Sequence, residues 1–190
     1  MDIYALMKFA HIIGFILLGA GLLAVFISEL RAYRTKDIAV FAEAARYTAV
    51  FYDALALPGA VLLAGSGLLL IFELDLAFFD EPWLVAMWGL FLFELIEGNT
   101  VTRIQFRRTL KKSVQARDQG ALTDAVREEA RTVLGQVAHF LDVPLFSVIV
   151  YCGAVRPDSW GHVVTAVALA LVVAFVLTVA VPRLARPGSG

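Results

Sequence analysis

The chain has 190 residues, of which 60% are hydrophobic and 17% charged, and its formal net charge is −1. Its charged share falls well below the roughly 25% of an average soluble domain, its mean hydropathy is +0.79, and a chain of this size buries only about 70% of its surface on folding. That arithmetic sets aside a soluble enzyme, a disordered tail and a basic-patch nucleic-acid binder, and the single Cys152 excludes an intrachain disulfide or a cysteine-rich metal cluster.

Five apolar stretches, near 3–27, 47–72, 83–102, 133–155 and 161–181, each supply the roughly 20 helical residues that cross a hydrocarbon core. Helices are the expected spanning form, because every backbone polar group in lipid must be paired internally. The expected fold class is therefore all-α: one polytopic membrane helix-bundle domain over 1–187, with Gly188-Ser189-Gly190 as a flexible tail. The first stretch is too long for a signal peptide, has a weak basic start and lacks an A-x-A-like site, so it reads as an uncleaved helix. It carries His11 roughly 12 Å from its outer end, a small-residue face at Ala10 and Gly14, and Ser28 and Glu29 at its inner end. The second carries Asp53, Pro58, and a small face at Ala60 and Ala64; the third carries Trp83, Trp88, Glu94, Glu97, Asn99 and Thr100. Residues 103–132 read as a helical hairpin. In it Arg103 to Ala116 continues the third helix, Asp118-Gln119-Gly120 turns, and a new helix starts at Thr123 or Asp124. The fourth stretch carries His139, Asp142 and Pro144. The fifth is uncharged, with Ala166, Ala170 and Ala174 four apart, a face for close helix packing or for oligomerisation.

Basic residues divide unevenly among the connections. All of them except Lys8 and Arg156 fall in 28–46, in 103–132 or in the tail, which share one side of a five-helix topology, while the other side carries Asp2, Glu73, Asp75, Asp80, Glu81 and Asp158. The positive-inside rule then places the N-terminus outside and the C-terminus in the cytoplasm, as expected for a bacterial inner membrane. Trp83 and Trp160 fall where interfacial anchors sit.

Ionisable side chains inside a bilayer cost about 2.5–3.5 kcal/mol each on insertion scales, and several lie here at one level. Measured from the basic ends of their helices, Asp53 and His139 are roughly 9 Å deep, Glu97 roughly 8 Å, Glu94 roughly 12 Å and Asp142 roughly 14 Å. Glu94-x-x-Glu97 and His139-x-x-Asp142 are i, i+3 pairs that share a helix face, the way bundle metal sites are built. Four carboxylates with one imidazole and no thiolate suit zinc, manganese or iron, so Glu94, Glu97, His139, Asp142 and Asp53 form a candidate divalent-metal site. Its use is metal-assisted chemistry or cation passage. The plain alternative is a structural network in which these acids bind helix ends, water and Arg46 or Arg103.

Short motifs carry a resemblance as well. Lys8-Phe9-Ala10-His11-Ile12, Leu57-Pro58-Gly59, Ser66-Gly67, Pro82-Trp83-Leu84 and Arg156-Pro157-Asp158 resemble the helix motifs of the CopD-like superfamily over about residues 1–160. That superfamily includes copper-resistance D proteins, HemJ-type protoporphyrinogen oxidases and uncharacterised predicted integral membrane proteins. The resemblance implies haem b as an alternative cofactor with His11 as its residue; Met87 stands where HemJ-type proteins carry a functional lysine. The sequence thus leaves three readings open: a metal or cation site, a haem b redox protein, and a non-catalytic membrane subunit, in each case in contact with lipid and in a homo-oligomer or membrane complex.

Overall fold

The structure is a computed structural model that describes residues 2–120 and 133–184, and every regular element among them is helical. Helix α1 spans Ile3–Arg34. Helices α2 (Ile38–Phe51) and α3 (Leu57–Glu73) join through a π-helical turn, Tyr52–Ala56, into one rod. Helices α4 (Pro82–Glu97) and α5 (Arg103–Asp118) join in the same way through a second π-helical turn, Gly98–Thr102. Helices α6 (Val133–Val155) and α7 (Trp160–Leu184) complete the bundle. Five of these rods are long and apolar enough to cross a membrane. Their perimeter is oily: Phe72 is 73% exposed and Phe175 69%. Such side chains face lipid, because a soluble monomer rarely shows large contiguous apolar patches.

The helices overrun the apolar stretches at the basic end. The expected 28–46 connection is mostly helix: α1 continues to Arg34 and α2 begins at Ile38, leaving a turn of Thr35, Lys36 and Asp37. Asp37 ends the turn by capping α2, its Oδ1 accepting from the Ala39 N–H at 2.7 Å and the Val40 N–H at 3.3 Å. The overrun of α2 packs on α5, where Phe41 and Ala116 bury each other. Hydropathy marks where the oil stops, whereas a helix continues as long as its amides pair and one face is covered. The helix start expected at Thr123 or Asp124, and the tail 188–190, lie outside the described residues.

Backbone-to-backbone packing holds α1 against α3. A Cβ on Gly14 would lie 2.6 Å from the Leu63 nitrogen, one on Gly21 2.5 Å from the Ala56 nitrogen, and one on Gly59 would strike the Leu18 nitrogen. Gly14 and Gly21 are seven apart and share a face, so α1 rides directly on the other rod. Around this seam Leu18, Leu22, Val25, Ala56, Ala60 and Leu63 form the core. The alanine face of α7 is used within the chain: Ala170 and Ala174 are buried, and Ala170 clusters with Leu145, Val148 and Cys152 of α6. That face is therefore covered by α6 and is not an open oligomer surface. Trp83 also differs from a free interfacial anchor. It is buried, donates its indole N–H to Glu81 Oε2 at 2.8 Å, and lies 5.1 Å under the Arg156 guanidinium.

Gly21→Ala is expected to lower stability by roughly 1–3 kcal/mol through the forced separation of α1 and α3. Gly89→Ala, where a Cβ meets nothing within 4 Å, is expected to leave stability unchanged or raise it by about 0.5–1 kcal/mol. Unfolding of the two variants in detergent checks the contrast.

Candidate functional site

The two π-helical turns face each other and organise the polar level of the bundle. The first directly precedes Pro58, whose ring cannot donate to the preceding turn. There the Leu57 N–H bonds the Tyr52 carbonyl five residues back. In the second, the Arg103 N–H bonds the Gly98 carbonyl in the same way. The Tyr52 hydroxyl sits against Gly98, where a Cβ would lie 2.5 Å from it. Single π turns inside helices recur at functional sites because they shift side chains out of the regular register.

Four of the expected site residues lie around this level, and a further acid joins them. On α6, His139 is 3% exposed and Asp142 7%, both on the face turned to the bundle interior. The Asp142 carboxyl is within hydrogen-bonding reach of Glu94 on α4, and the Glu97 and Glu29 carboxyls are its further neighbours. Glu97 Oε1 accepts from the Thr102 hydroxyl at 2.8 Å. Glu29, from α1, brings Oε2 to 3.2 Å from His139 Nε2. The imidazole is poorly aligned for that contact, and neither ring nitrogen makes a hydrogen bond among the described residues. Phe26, Phe106 and Phe140 enclose the ring, with centroids 5.8, 6.1 and 5.3 Å away. A cavity of about 50 Å³ adjoins Glu94, Asp142, Tyr52 and Gly98.

Asp53 is not brought into this group. Its carboxylate accepts from Arg103 Nε at 2.8 Å and from Arg107 Nη2 at 3.0 Å, forming a rim toward the basic end. The reason is the second π turn, which swings Arg103 and Arg107 of α5 onto the α2–α3 rod. Arg46, the other candidate partner, pairs with Glu43 at 3.1 Å. Asn99 and Thr100 bond back to the Leu95 and Ile96 carbonyls of their own helix, at 2.8 and 2.7 Å. Among the described residues no three His, Cys, Asp or Glu side chains converge as they stand on one ion position. Glu29 and Tyr52 are the site residues that sequence reasoning passed over. Glu29 was visible as an acid at the end of an apolar run; Tyr52 gave no signal, because its place depends on Gly98 of another helix.

Chemically, Glu94 and Asp142 define the group. Two carboxyls within hydrogen-bonding reach repel strongly when both are ionised, so they share either a proton or a cation. The two arginines at the rim are engaged by Asp53, and among the described residues no ion pair joins this pair to a basic side chain.

His11 lies apart, toward the acidic end. Its Nδ1 is 3.2 Å from Ser66 Oγ. Ser66 Oγ donates to the Leu62 carbonyl at 2.6 Å, so toward His11 it acts as the acceptor. The hydrogen-bond network therefore assigns the proton of neutral His11 to Nδ1 and leaves Nε2 an acceptor with no hydrogen-bond partner among the described residues. The ring lines an apolar cavity of about 360 Å³. His162 is exposed and pairs with Ser159 at 3.2 Å, so the three histidines have three separate settings.

A family described as Predicted integral membrane protein (DUF2269) matches residues 5–157, and the chain belongs to that family. A search of curated proteins and a search of solved structures found no match.

The Asp53–Arg103 pair is half-exposed. A double-mutant cycle with Asp53→Asn and Arg103→Gln is expected to give a coupling of roughly 0.2–1 kcal/mol in detergent unfolding. The same cycle with Asp53→Asn and Arg46→Gln is expected to give none, because Arg46 is turned to Glu43.

Proposed function

We propose that this integral membrane protein of the DUF2269 family binds a divalent cation at Glu94 and Asp142 and passes it along the bundle. The observation that carries the reading is the close approach of these two carboxyls, from different helices, with no basic side chain among the described residues paired to them. Glu97, Glu29 and His139 add charge and imidazole nitrogen around the pair, and Asp53 with its arginines forms the rim toward the basic end. The donor set of carboxylates plus one imidazole suits zinc, manganese or iron. Passage is favoured over metal-assisted chemistry by size. The adjoining cavity of about 50 Å³ has room for an ion or water, whereas organic substrates occupy roughly 300–1,000 Å³. The charge bias of the connections supports a basic end in the cytoplasm and an inner-membrane location.

Elemental analysis of purified protein tests the reading. Zinc, manganese or iron near one equivalent is expected, and Glu94→Gln with Asp142→Asn is expected to remove it and to abolish metal uptake into proteoliposomes. No bound metal, no thermal shift with any of the three, and proton flux in place of metal uptake would overturn it.

Haem b on His11 is the second reading, supported by the bare Nε2 beside a cavity. The fit stops at that nitrogen, because the lining includes no lysine or arginine and the two propionates find no counter-charge there. If haem is the ligand, protein made with ample haem carries a Soret band that His11→Ala removes; colourless protein sinks this reading.

A further inference from the structure

The cavity at His11 has a definite construction. Its walls come from α1, α3, α4 and α6, and they are apolar apart from His11 and the indole N–H of Trp88. Two glycines make the room. A Cβ on Gly67 would sit 3.1 Å from His11 Cε1, and one on Gly153 3.3 Å from Met87 Sδ. At the end nearer the acidic cluster, Phe91, Phe146 and Ile149 line this cavity and the small one beside Glu94 and Asp142, and so divide them. Phe15 stacks on Phe146 across that end, with centroids 5.6 Å apart. On the perimeter Ile12 is 47% exposed and Phe15 40%, so the space between α1 and α6 opens toward lipid and not toward water.

An apolar chamber of this kind stays dry. A histidine held in one tautomer at its wall, with Nε2 bare, is then an acceptor that water does not serve. Its volume of about 360 Å³ lies at the lower end of the range for small-molecule sites, and a few fixed polar groups in an apolar lining orient such ligands. The occupant must reach the site through lipid, be largely apolar, carry no charge for which the walls lack a partner, and offer one donor to Nε2. Flat aromatic walls at Trp88 and Phe91, themselves edge-to-face at 6.0 Å, suit a planar ring.

We infer that this cavity binds a membrane-soluble aromatic alcohol of the hydroquinone class, its ring between the walls, its O–H donating to His11 Nε2, and its apolar tail leaving between α1 and α6. The site is separate from the acidic cluster, and the inference does not depend on a cation binding there.

The test uses purified protein in lipid nanodiscs, a hydroquinone with a decyl tail as probe, and tryptophan fluorescence as the readout. A saturable quench is expected, and Trp88→Phe removes it. The dimethyl ether of the same probe, which lacks the O–H, is expected to bind about three- to tenfold more weakly to the unaltered protein. His11→Ala weakens the hydroquinone by a similar factor and leaves the ether unchanged, whereas His11→Gln, which keeps an acceptor, restores part of the difference. Gly153→Leu fills the chamber against the flexible Met87 side chain; it is expected to abolish the quench while its thermal unfolding matches that of the parent. Equal binding of hydroquinone and ether, as for a lipid chain that merely fills the space, overturns the inference. So does a quench that survives Gly153→Leu, or one-to-one haem retained on His11.

Discussion

In hydrocarbon a polar group without a partner has no water to fall back on, and the whole architecture follows from that constraint. It forces the backbone into helices, and it forces each intramembrane acid to find a partner. Asp53 finds Arg103 and Arg107. Glu97 finds Thr102. Glu29 approaches His139, and Glu94 meets Asp142. The first two arrangements are ordinary charge or hydroxyl pairing. The last sets acid beside acid, and structural economy alone does not account for it. That contrast makes the Glu94–Asp142 pair the centre of the functional reading.

The geometry of the pair depends on local departures from the regular helix. The π turns at Tyr52–Ala56 and Gly98–Thr102 meet through Tyr52 and Gly98. Each adds a residue to a turn, so the side chains beyond it are rotated relative to those before it. Asp53, inside the first turn, meets the arginines that follow the second and so stands apart from the other acids. Pro58 explains the position of the first turn, since its ring already denies a carbonyl its donor. Gly98 explains the second, since any side chain there would displace the Tyr52 hydroxyl.

Two different cavities therefore coexist in one small bundle, divided by Phe91, Phe146 and Ile149. The smaller has two carboxyls and a phenol at its edge. The larger is oily and carries one imidazole. Their linings are distinct: one is edged by acids, the other by apolar side chains around a single imidazole.

From the amino acids in order, the five spans, the all-helical class and the shared depth of the acids were legible, because hydropathy and a fixed rise per residue fix them locally. The i, i+3 spacing also placed His139 with Asp142 on one inward face. Tertiary structure alone decided who meets whom. Depth is one coordinate, and the direction in which a side chain points around its helix depends on π turns, on glycines that let α1 touch α3, and on which neighbour stands opposite. Thus Asp53 went to the arginines, Glu29 joined His139, the alanine face of α7 closed on α6, and Gly67 and Gly153 opened a chamber that no run of residues in the chain announces.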